Sequence, residues 1–317
     1  MSFSSRTKNE LSRLIAKSRC CSMAELAAIV RTNGTIQIDG FNQLSLKFNT
    51  ENAATARKIF ILIKTLYNLN VEVRITRNRK LKKNNSYFIL VNDMDIARKI
   101  LNDAGFIISD NGHHLIEQRL PNSLIDNRCC RRSYIRGAFL GGGSISNPDK
   151  GYHIEFVTNH EEHAEDLSNI INSFDLNSKM VVRRDDHVVY VKEGEQIVDI
   201  LNIMGAHQAL LRVENIRAMK DVRNNINRIV NCETANLDKT INASIRQVEN
   251  IEYIDGVIGL DKLSKNLQEI ARLRLSHREA SLKELGSMLS VPVGKSGVNY
   301  RLRRIEEIAE RLRGEES

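Results

Sequence analysis

Two stretches of this chain read as worn copies of one motif. Residues 19–36 are RCCSMAELAAIVRTNGTI, and residues 128–145 are RCCRRSYIRGAFLGGGSI. Both open with Arg-Cys-Cys, continue as an apolar helical stretch, and end in glycine, a small hydroxyl residue and isoleucine. The offset is 109 throughout (19 to 128, 36 to 145). The likeness runs on past the motifs. Phe48-Asn-Thr50 answers Phe156-Val-Thr158 at an offset of 108, Leu69-Asn70 answers Leu176-Asn177 at 107, and Ile100-Leu-Asn102 answers Ile200-Leu-Asn202 at 100. Register kept inside elements and lost at turns is what an old tandem duplication leaves. A repeat of this kind sets the architecture before any single element is assigned.

Within the first copy, residues 23–30 form an apolar helix, 44–48 alternate as a strand, and 53–67 have helical periodicity. Residues 71–76 and 87–91 are strands joined by a polar loop, and 96–101 begin a short helix. The second copy repeats this with helix 134–140, strand 152–157, helix 161–174, strands 179–184 and 188–191, and helix 196–204. Thr158 and Glu161 have the spacing of a capping box, which puts His160 and His163 in an exposed first turn. His113 and His114 fall in a linker and receive no role. After Gly205 the pattern is helical only, 213–229 and then 236–249, with a hinge at 255–261 around Gly256 and Gly259. The expected boundaries are 1–110 for the first repeat, 111–127 for a linker, 128–222 for the second repeat, 223–261 for a helical linker and 262–317 for a terminal domain.

Composition limits what such a chain can be. With 317 residues, 41% of them hydrophobic, it has room for two or three domains with real cores. No apolar run has transmembrane length, and the polar first eleven residues do not read as a signal peptide. Five cysteines form no spaced disulfide framework, which points to a reduced cytosol. A net charge of +8 suits a polyanionic partner. No P-loop, Gly-x-Gly-x-x-Gly or Ser-His-Asp arrangement is present.

The C-terminal stretch has its own pattern. Leu267, Ile270 and Leu273 mark one helix. Ser281-Leu-Lys-Glu284 is a capping box opening a second, with Leu282, Leu285, Met288 and Leu289 on one face. Ser290-Val-Pro-Val-Gly294 breaks it, because proline cannot continue the helix and glycine tolerates a positive φ. A third helix follows, its core face set by Val298, Leu302, Ile305, Ile308 and Leu312. This is the helix-turn-helix pattern, and it resembles the promoter-reading region of sigma factors. In such a motif the start of the last helix enters the major groove, which here presents Lys295, Ser296, Asn299 and Tyr300, with Arg303 one turn on. Asn can pair bidentately with adenine and Arg or Lys with guanine, while Arg301 and Arg304 suit phosphates. Residues 265–313 hold eleven Lys and Arg against six Glu.

An α-β-β-α-β-β-α order with a glycine-ended helix in each half resembles the LAGLIDADG homing-endonuclease fold. The resemblance implies that the motif helices pack side by side on a pseudo-twofold axis and that the two sheets form a saddle over DNA. Ala27, Ala28, Gly137 and Ala138 are the small residues that would permit that contact. With the opening FSSRTKNELSRL, the doubled Arg-Cys-Cys and the late GKSGVNYRLRRI, the whole chain resembles the WhiA family of Gram-positive bacterial regulators. That likeness implies an α+β duplicated LAGLIDADG-like saddle followed by an all-α helix-turn-helix domain. It implies a cytoplasmic, nucleoid-associated transcription regulator tied to sporulation, cell division and chromosome segregation. Its partners would be double-stranded DNA and RNA polymerase or another regulator.

Cleavage by the homing-endonuclease fold needs a carboxylate immediately before the final glycine of each motif helix, to hold divalent metals. Those positions are Asn33 and Gly142; an amide is a weak ligand for a hard cation and glycine offers none. Asp39 and Asp149 lie downstream, aimed away from the axis by the intervening strand or turn. The expectation is therefore a non-enzyme without metal or cofactor. A basic run, Arg74, Arg77, Arg79, Lys80, Lys82 and Lys83, falls on the hairpin of the first repeat and suits phosphate contact. Its counterpart, Arg183-Arg-Asp-Asp186, is neutral, so contact by a saddle would be lopsided. Cys20, Cys21, Cys129 and Cys130 would meet near the axis. Adjacent cysteines lack the usual metal-site spacing, so buried thiols are the expectation there. Two alternatives stay open: a metal-dependent endonuclease, and an adaptor whose saddle binds another regulator.

Overall fold

Caps and breakers at fixed positions cut the duplicated pattern into elements. The computed structural model describes residues 1–38, 43–77, 85–110 and 113–315, and divides into two units, Met1–Lys220 and Asp221–Ser317. In the first unit, α1 (Phe3–Leu11) precedes α2 (Arg19–Asn33), whose N-cap Ser18 accepts a hydrogen bond from the Cys21 amide. Strands β1 (Gly34–Ile38) and β2 (Leu44–Thr50) follow. Helix α3 (Ala53–Tyr67) starts at Asn52, which accepts from the Ala54 and Thr55 amides, and stops at left-handed Asn68. The copy closes with β3 (Glu72–Arg77), β4 (Asn85–Val91) and α4 (Met94–Asp103), then the hairpin β5 (Ile107–Asp110) and β6 (His113–Ile116).

The second copy runs α5 (Arg128–Gly142), β7 (Gly143–Ile145), β8 (Ile154–Thr158), α6 (Glu161–Asn172), β9 (Lys179–Arg183), β10 (Asp186–Val191) and α7 (Gly194–Met204). The two antiparallel sheets have the same strand order, β1-β2-β4-β3 and β7-β8-β10-β9. Even the register agrees: Gly34 stands opposite Phe48, and Gly143 opposite Phe156. Strands β1 and β7 have no counterpart in the sequence pattern, because three to five residues are too few to show alternation. Helices α2 and α5 pack along one another at the centre, with Ala27, Ala28, Leu26, Ala138 and Phe139 fully buried. The predicted α+β saddle-type duplication is the architecture of this unit.

Four sequence expectations are corrected in this unit. His163 does not lie in an exposed turn: it is fully buried, and only His160 is exposed. No capping box joins Thr158 to Glu161, because the Thr158 hydroxyl bonds His163 Nδ1 at 2.7 Å instead. His113 and His114, for which no element was expected, lie within the linker on strand β6 of a short hairpin. Of the four motif thiols, Cys21 and Cys130 are buried but Cys20 and Cys129 are exposed.

The second unit is helical. Helix α8 (His207–Val257), which begins in the first unit, runs unbroken where two helices, 213–229 and 236–249, were expected, and it ends inside the hinge expected at 255–261. The segment Val230-Asn-Cys-Glu-Thr-Ala235 contains neither glycine nor proline, so nothing there stops a helix. The stop comes at Gly259, with φ +79° and its amide donating to Ile254 O at 3.1 Å. Then come α9 (Lys265–Ser276), α10 (Leu282–Met288) and α11 (Lys295–Glu315). Their core is Ile270, Ala271, Leu285, Leu289, Val298, Leu302, Ile305 and Ala309, closed by Ile251 and Ile254 of α8. Met288, expected on that face, is exposed, while Leu282, Ile308 and Leu312 are partly buried against it. Among the described residues no helix is long and apolar enough to cross a membrane.

Candidate nucleic-acid interface

The base of each motif helix is where this fold would place cutting chemistry. Asn33, at the end of α2, donates from Nδ2 to Asn49 O at 2.8 Å and accepts from Asn49 N at 3.1 Å. A carboxylate at this position could accept the second bond but would set an oxygen against the Asn49 carbonyl. In the second repeat the position is Gly142, and a Cβ there would stand 2.4 Å from Val157 O. Val157 is the register equivalent of Asn49, so both copies close the same backbone gap. The first does it with an amide, the second by direct contact. Asp149 is exposed in the turn after β7, and Asp39 lies outside the described residues. Glu155, on β8, accepts from Ser144 at 3.0 Å and faces His153 at 3.1 Å and Arg183 at 3.4 Å. Partial burial would raise its pKa, but those bonds and charges hold the carboxyl below the usual range.

What holds the helices together includes buried charge the sequence pattern did not single out. Glu25 of α2, wholly inaccessible, lies 3.2 Å from Lys58 of α3 and 3.1 Å from Arg136 of α5. Burial lowers the Lys58 pKa, an effect partly offset by Glu25. Close approach is enforced nearby: a Cβ on Gly137 would sit 2.2 Å from Glu25 O and 3.0 Å from the Ala28 methyl. The second repeat carries a neutral network instead, Tyr134 Oη to His163 Nε2 at 2.8 Å and His163 Nδ1 to Thr158. Burial drives the His163 pKa down to about 3, so the ring is neutral. Glu25 is the one charged residue in the apolar stretch 23–30, but its partners on α3 and α5 are distant in the chain, so nothing local marked its role.

In the second unit the turn between α10 and α11 lies tight against α10. Val293 N donates to Gly286 O at 3.1 Å, and a Cβ on Gly286 would meet Val293 O at 2.2 Å. The capping box at Ser281 and Glu284 forms as the sequence predicts. Arg274, almost fully buried, donates to Ala280 O at 2.7 Å and Arg278 O at 3.2 Å, fixing the connection between α9 and α10. Gly286 and Arg274 had no pattern to give them away, since each acts on backbone atoms.

The candidate readout residues on α11 differ in exposure. Lys295, Ser296, Tyr300, Arg303 and Arg304 are exposed, Tyr300 at 67%. Asn299 is half-buried and borders, with Arg303, a recess lined by Ala243 and Gln247 of α8. Arg304 pairs with Glu307 at 2.6 Å. Arg301 is half-buried and, behind the Ser290 amide, helps hold the Glu269 carboxyl below its usual range. On the first-unit hairpin every residue of β3 is exposed, and Arg74 is tied to Glu72 at 2.6 Å. Arg77 stands at the exposed end of β3, while Arg79, Lys80, Lys82 and Lys83 lie outside the described residues.

Comparison with known proteins accounts for nearly the whole chain. Family models for the WhiA N-terminal LAGLIDADG-like domain, the WhiA LAGLIDADG-like domain and the WhiA C-terminal HTH domain match residues 19–107, 131–223 and 226–309. The "Probable cell division protein WhiA" of Alkaliphilus metalliredigens is 54% identical over 314 residues, 99% of each chain. Its namesake in Thermoanaerobacter pseudethanolicus is 55% identical over 313 residues, 99% of this chain and 98% of that one. The crystal structure of full-length WhiA from Thermatoga maritima superposes with a TM-score of 0.57 at 26% identity, covering 98% of this chain and 99% of that one. With two LAGLIDADG-like repeats and a C-terminal helix-turn-helix domain, the chain belongs to the WhiA family.

Proposed function

We propose that this protein is a sequence-specific, non-catalytic DNA-binding regulator of transcription. In this reading α11 selects sequence, and the repeats serve as a saddle that adds affinity without cutting. The observation that carries it is the exposed start of α11. Lys295, Ser296, Tyr300, Arg303 and Arg304 face solvent after a turn pinned by Gly286, the arrangement a recognition helix needs. The non-catalytic half of the proposal rests on Asn33 and Gly142, which provide no carboxylate and are already engaged with strand backbone. Residues 1–110 and 128–222 are then the saddle halves, 223–261 a helical connector and 262–317 the reading domain. The curated relatives are described as cell division proteins, and cell division is the setting proposed here. Chromosome segregation, sporulation, nucleoid association and an RNA polymerase or second-regulator partner extend that same likeness.

Footprinting of full-length protein on genomic fragments tests the proposal. Arg303→Ala should cost about 1–3 kcal/mol at a protected site if it contacts a base, and relax discrimination there. Asn299→Ala should cost less than Arg303→Ala, because Asn299 is half-buried and Arg303 is exposed. Discrimination between protected and random DNA that survives both changes would reject α11 as the reader. Incubation with Mg²⁺ and plasmid should give no sustained cleavage; cleavage abolished by Asn33→Ala would restore the nuclease alternative.

A further inference from the structure

The motif helices start together as well as pack together. Cys20 and Cys21 lie in the first turn of α2 after N-cap Ser18, and Cys129 and Cys130 in the first turn of α5 after N-cap Asn127. The sulfurs of Cys20, Cys21 and Cys130 all lie within 4.8 Å of one another, and Cys129 interacts with Cys21. All are free thiols. Among the described residues this is the sole group of three or more metal-ligating side chains gathered in this way.

We propose that Cys20, Cys21 and Cys130 form a site for a thiophilic d10 cation, Zn²⁺ or Cu⁺, that bridges the two repeats at the start of their motif helices. Sulfur-only donors select this class of ion over Mg²⁺ or Ca²⁺. Tetrahedral coordination at a Zn–S length of ~2.3 Å needs sulfurs ~3.8 Å apart, so the observed cluster closes with side-chain rotations of about 1 Å. The sequence spacing argued against one Cys-Cys pair wrapping an ion, but this set draws on both repeats. Exposed Cys20 gives entry from solvent, and Cys129 or water is available for a fourth position.

Electrostatics point the same way. Two helix N-termini direct their partial positive charge at the cluster and favour thiolate. The Ser18 hydroxyl lies 3.3 Å from Cys20 Sγ. Cys21 and Cys130 are buried, away from the water that would solvate a thiolate. A bound cation supplies the charge that stabilises their thiolates, and the displaced protons pass to solvent.

The test uses full-length, reduced, metal-stripped protein. Zn²⁺ and Cu⁺ are titrated separately against chromophoric chelators, with Co²⁺ as a spectroscopic probe. The expected result is one ion per chain, sulfur-to-cobalt charge-transfer bands and a melting temperature raised by the ion. Affinity should fall by at least about 100-fold in Cys21→Ser and Cys130→Ser, past the range of outer-shell changes. It should stay unchanged in Cys232→Ser, whose thiol is on α8. Whichever of Zn²⁺ and Cu⁺ binds tighter identifies the ion. Metal-free melts establish that each variant folds, and Cys20→Ser, altered at an exposed position, replaces any that does not. Binding by the parent no tighter than by Cys130→Ser would overturn the proposal. So would a Cys20–Cys130 disulfide in protein that takes no metal when reduced.

Discussion

The two repeats share their strand order and register but not their buried polar chemistry. Position 25 of the first corresponds to position 134 of the second, and position 55 to position 163, by the offsets of 109 and 108 that relate the copies. At the first pair of positions the chain buries a carboxylate in one copy and a phenol in the other. At the second it buries Thr55 and His163. The first copy satisfies its group by ion pairs to Lys58 and Arg136, the second by neutral hydrogen bonds among Tyr134, His163 and Thr158. Drift after duplication has thus been held to shape, while the identity of the buried polar group was free to change. The helix bases tell the same story, with Asn33 and Gly142 closing equivalent gaps by different means.

If that is right, the copies should respond unequally to loss of their buried polar group. Glu25→Ala leaves Lys58 and Arg136 as uncompensated buried cations, and removal of one partner from a buried ion pair costs about 3–5 kcal/mol. Tyr134→Phe removes one neutral hydrogen bond and leaves His163 Nε2 unpaired, for about 1–3 kcal/mol. Urea denaturation followed by circular dichroism measures both. Equal losses would mean that the charge cluster is no more than a neutral bond in disguise.

The contact between the helices is the feature the copies share, and overpacking it should harm both alike. Ala138→Leu forces a larger side chain into a fully buried position between α2 and α5, at about 1–3 kcal/mol. Gly137→Ala drives a methyl against the Glu25 carbonyl and needs the backbones to part. Thermal melts as stable as the parent in both variants would place the helix contact elsewhere. This contact was legible in the sequence because duplication, glycine and alanine all left marks in the text. The helix-turn-helix was legible for a similar reason: Ser281, Glu284 and Pro292 act locally, on their own segment. Glu25, Arg31 and His163 were not. Arg31 donates to Ala104 O at 2.6 Å, 73 residues on, and His163 meets Tyr134 from another helix, so their roles exist only once distant elements have met. His163 even carried a misleading local signal, since His-Glu-Glu-His reads as a solvated helix start.

That histidine gives the second repeat a pH dependence that Thr55 denies the first. Its pKa falls from an ordinary value of 6.5 to about 3 in the folded chain through burial. Above pH 6.5 the ring is neutral folded or unfolded, and its contribution is fully present. As pH drops below 6.5 the unfolded chain takes up the proton first, so stability is lost at about 1.4 kcal/mol per unit, reaching about 2 kcal/mol at pH 5. His163→Gln should flatten that part of the stability profile between pH 7 and 5. A variant that keeps the parent's slope would assign the acid sensitivity to other groups.

The smallest effect concerns what the saddle does with DNA. Here the copies differ in charge: the first hairpin is basic, whereas Arg183 of the second is drawn to Glu155. Phosphate contact by the first hairpin alone would be independent of sequence and sensitive to salt, each lost contact reducing the log–log slope by about 0.9. Neutralising Arg77, Arg79, Lys82 and Lys83 should therefore weaken cognate and random DNA equally and flatten that slope. Arg74→Gln should do less, because Arg74 is already paired with Glu72. Neutralising Arg183 and Arg184 in the second hairpin should leave the slope where it was. A slope indifferent to the first-hairpin changes would make the basic run a solvated loop. Equal slopes lost from both hairpins would instead mean that the two halves grip the duplex symmetrically, despite the difference in their charge.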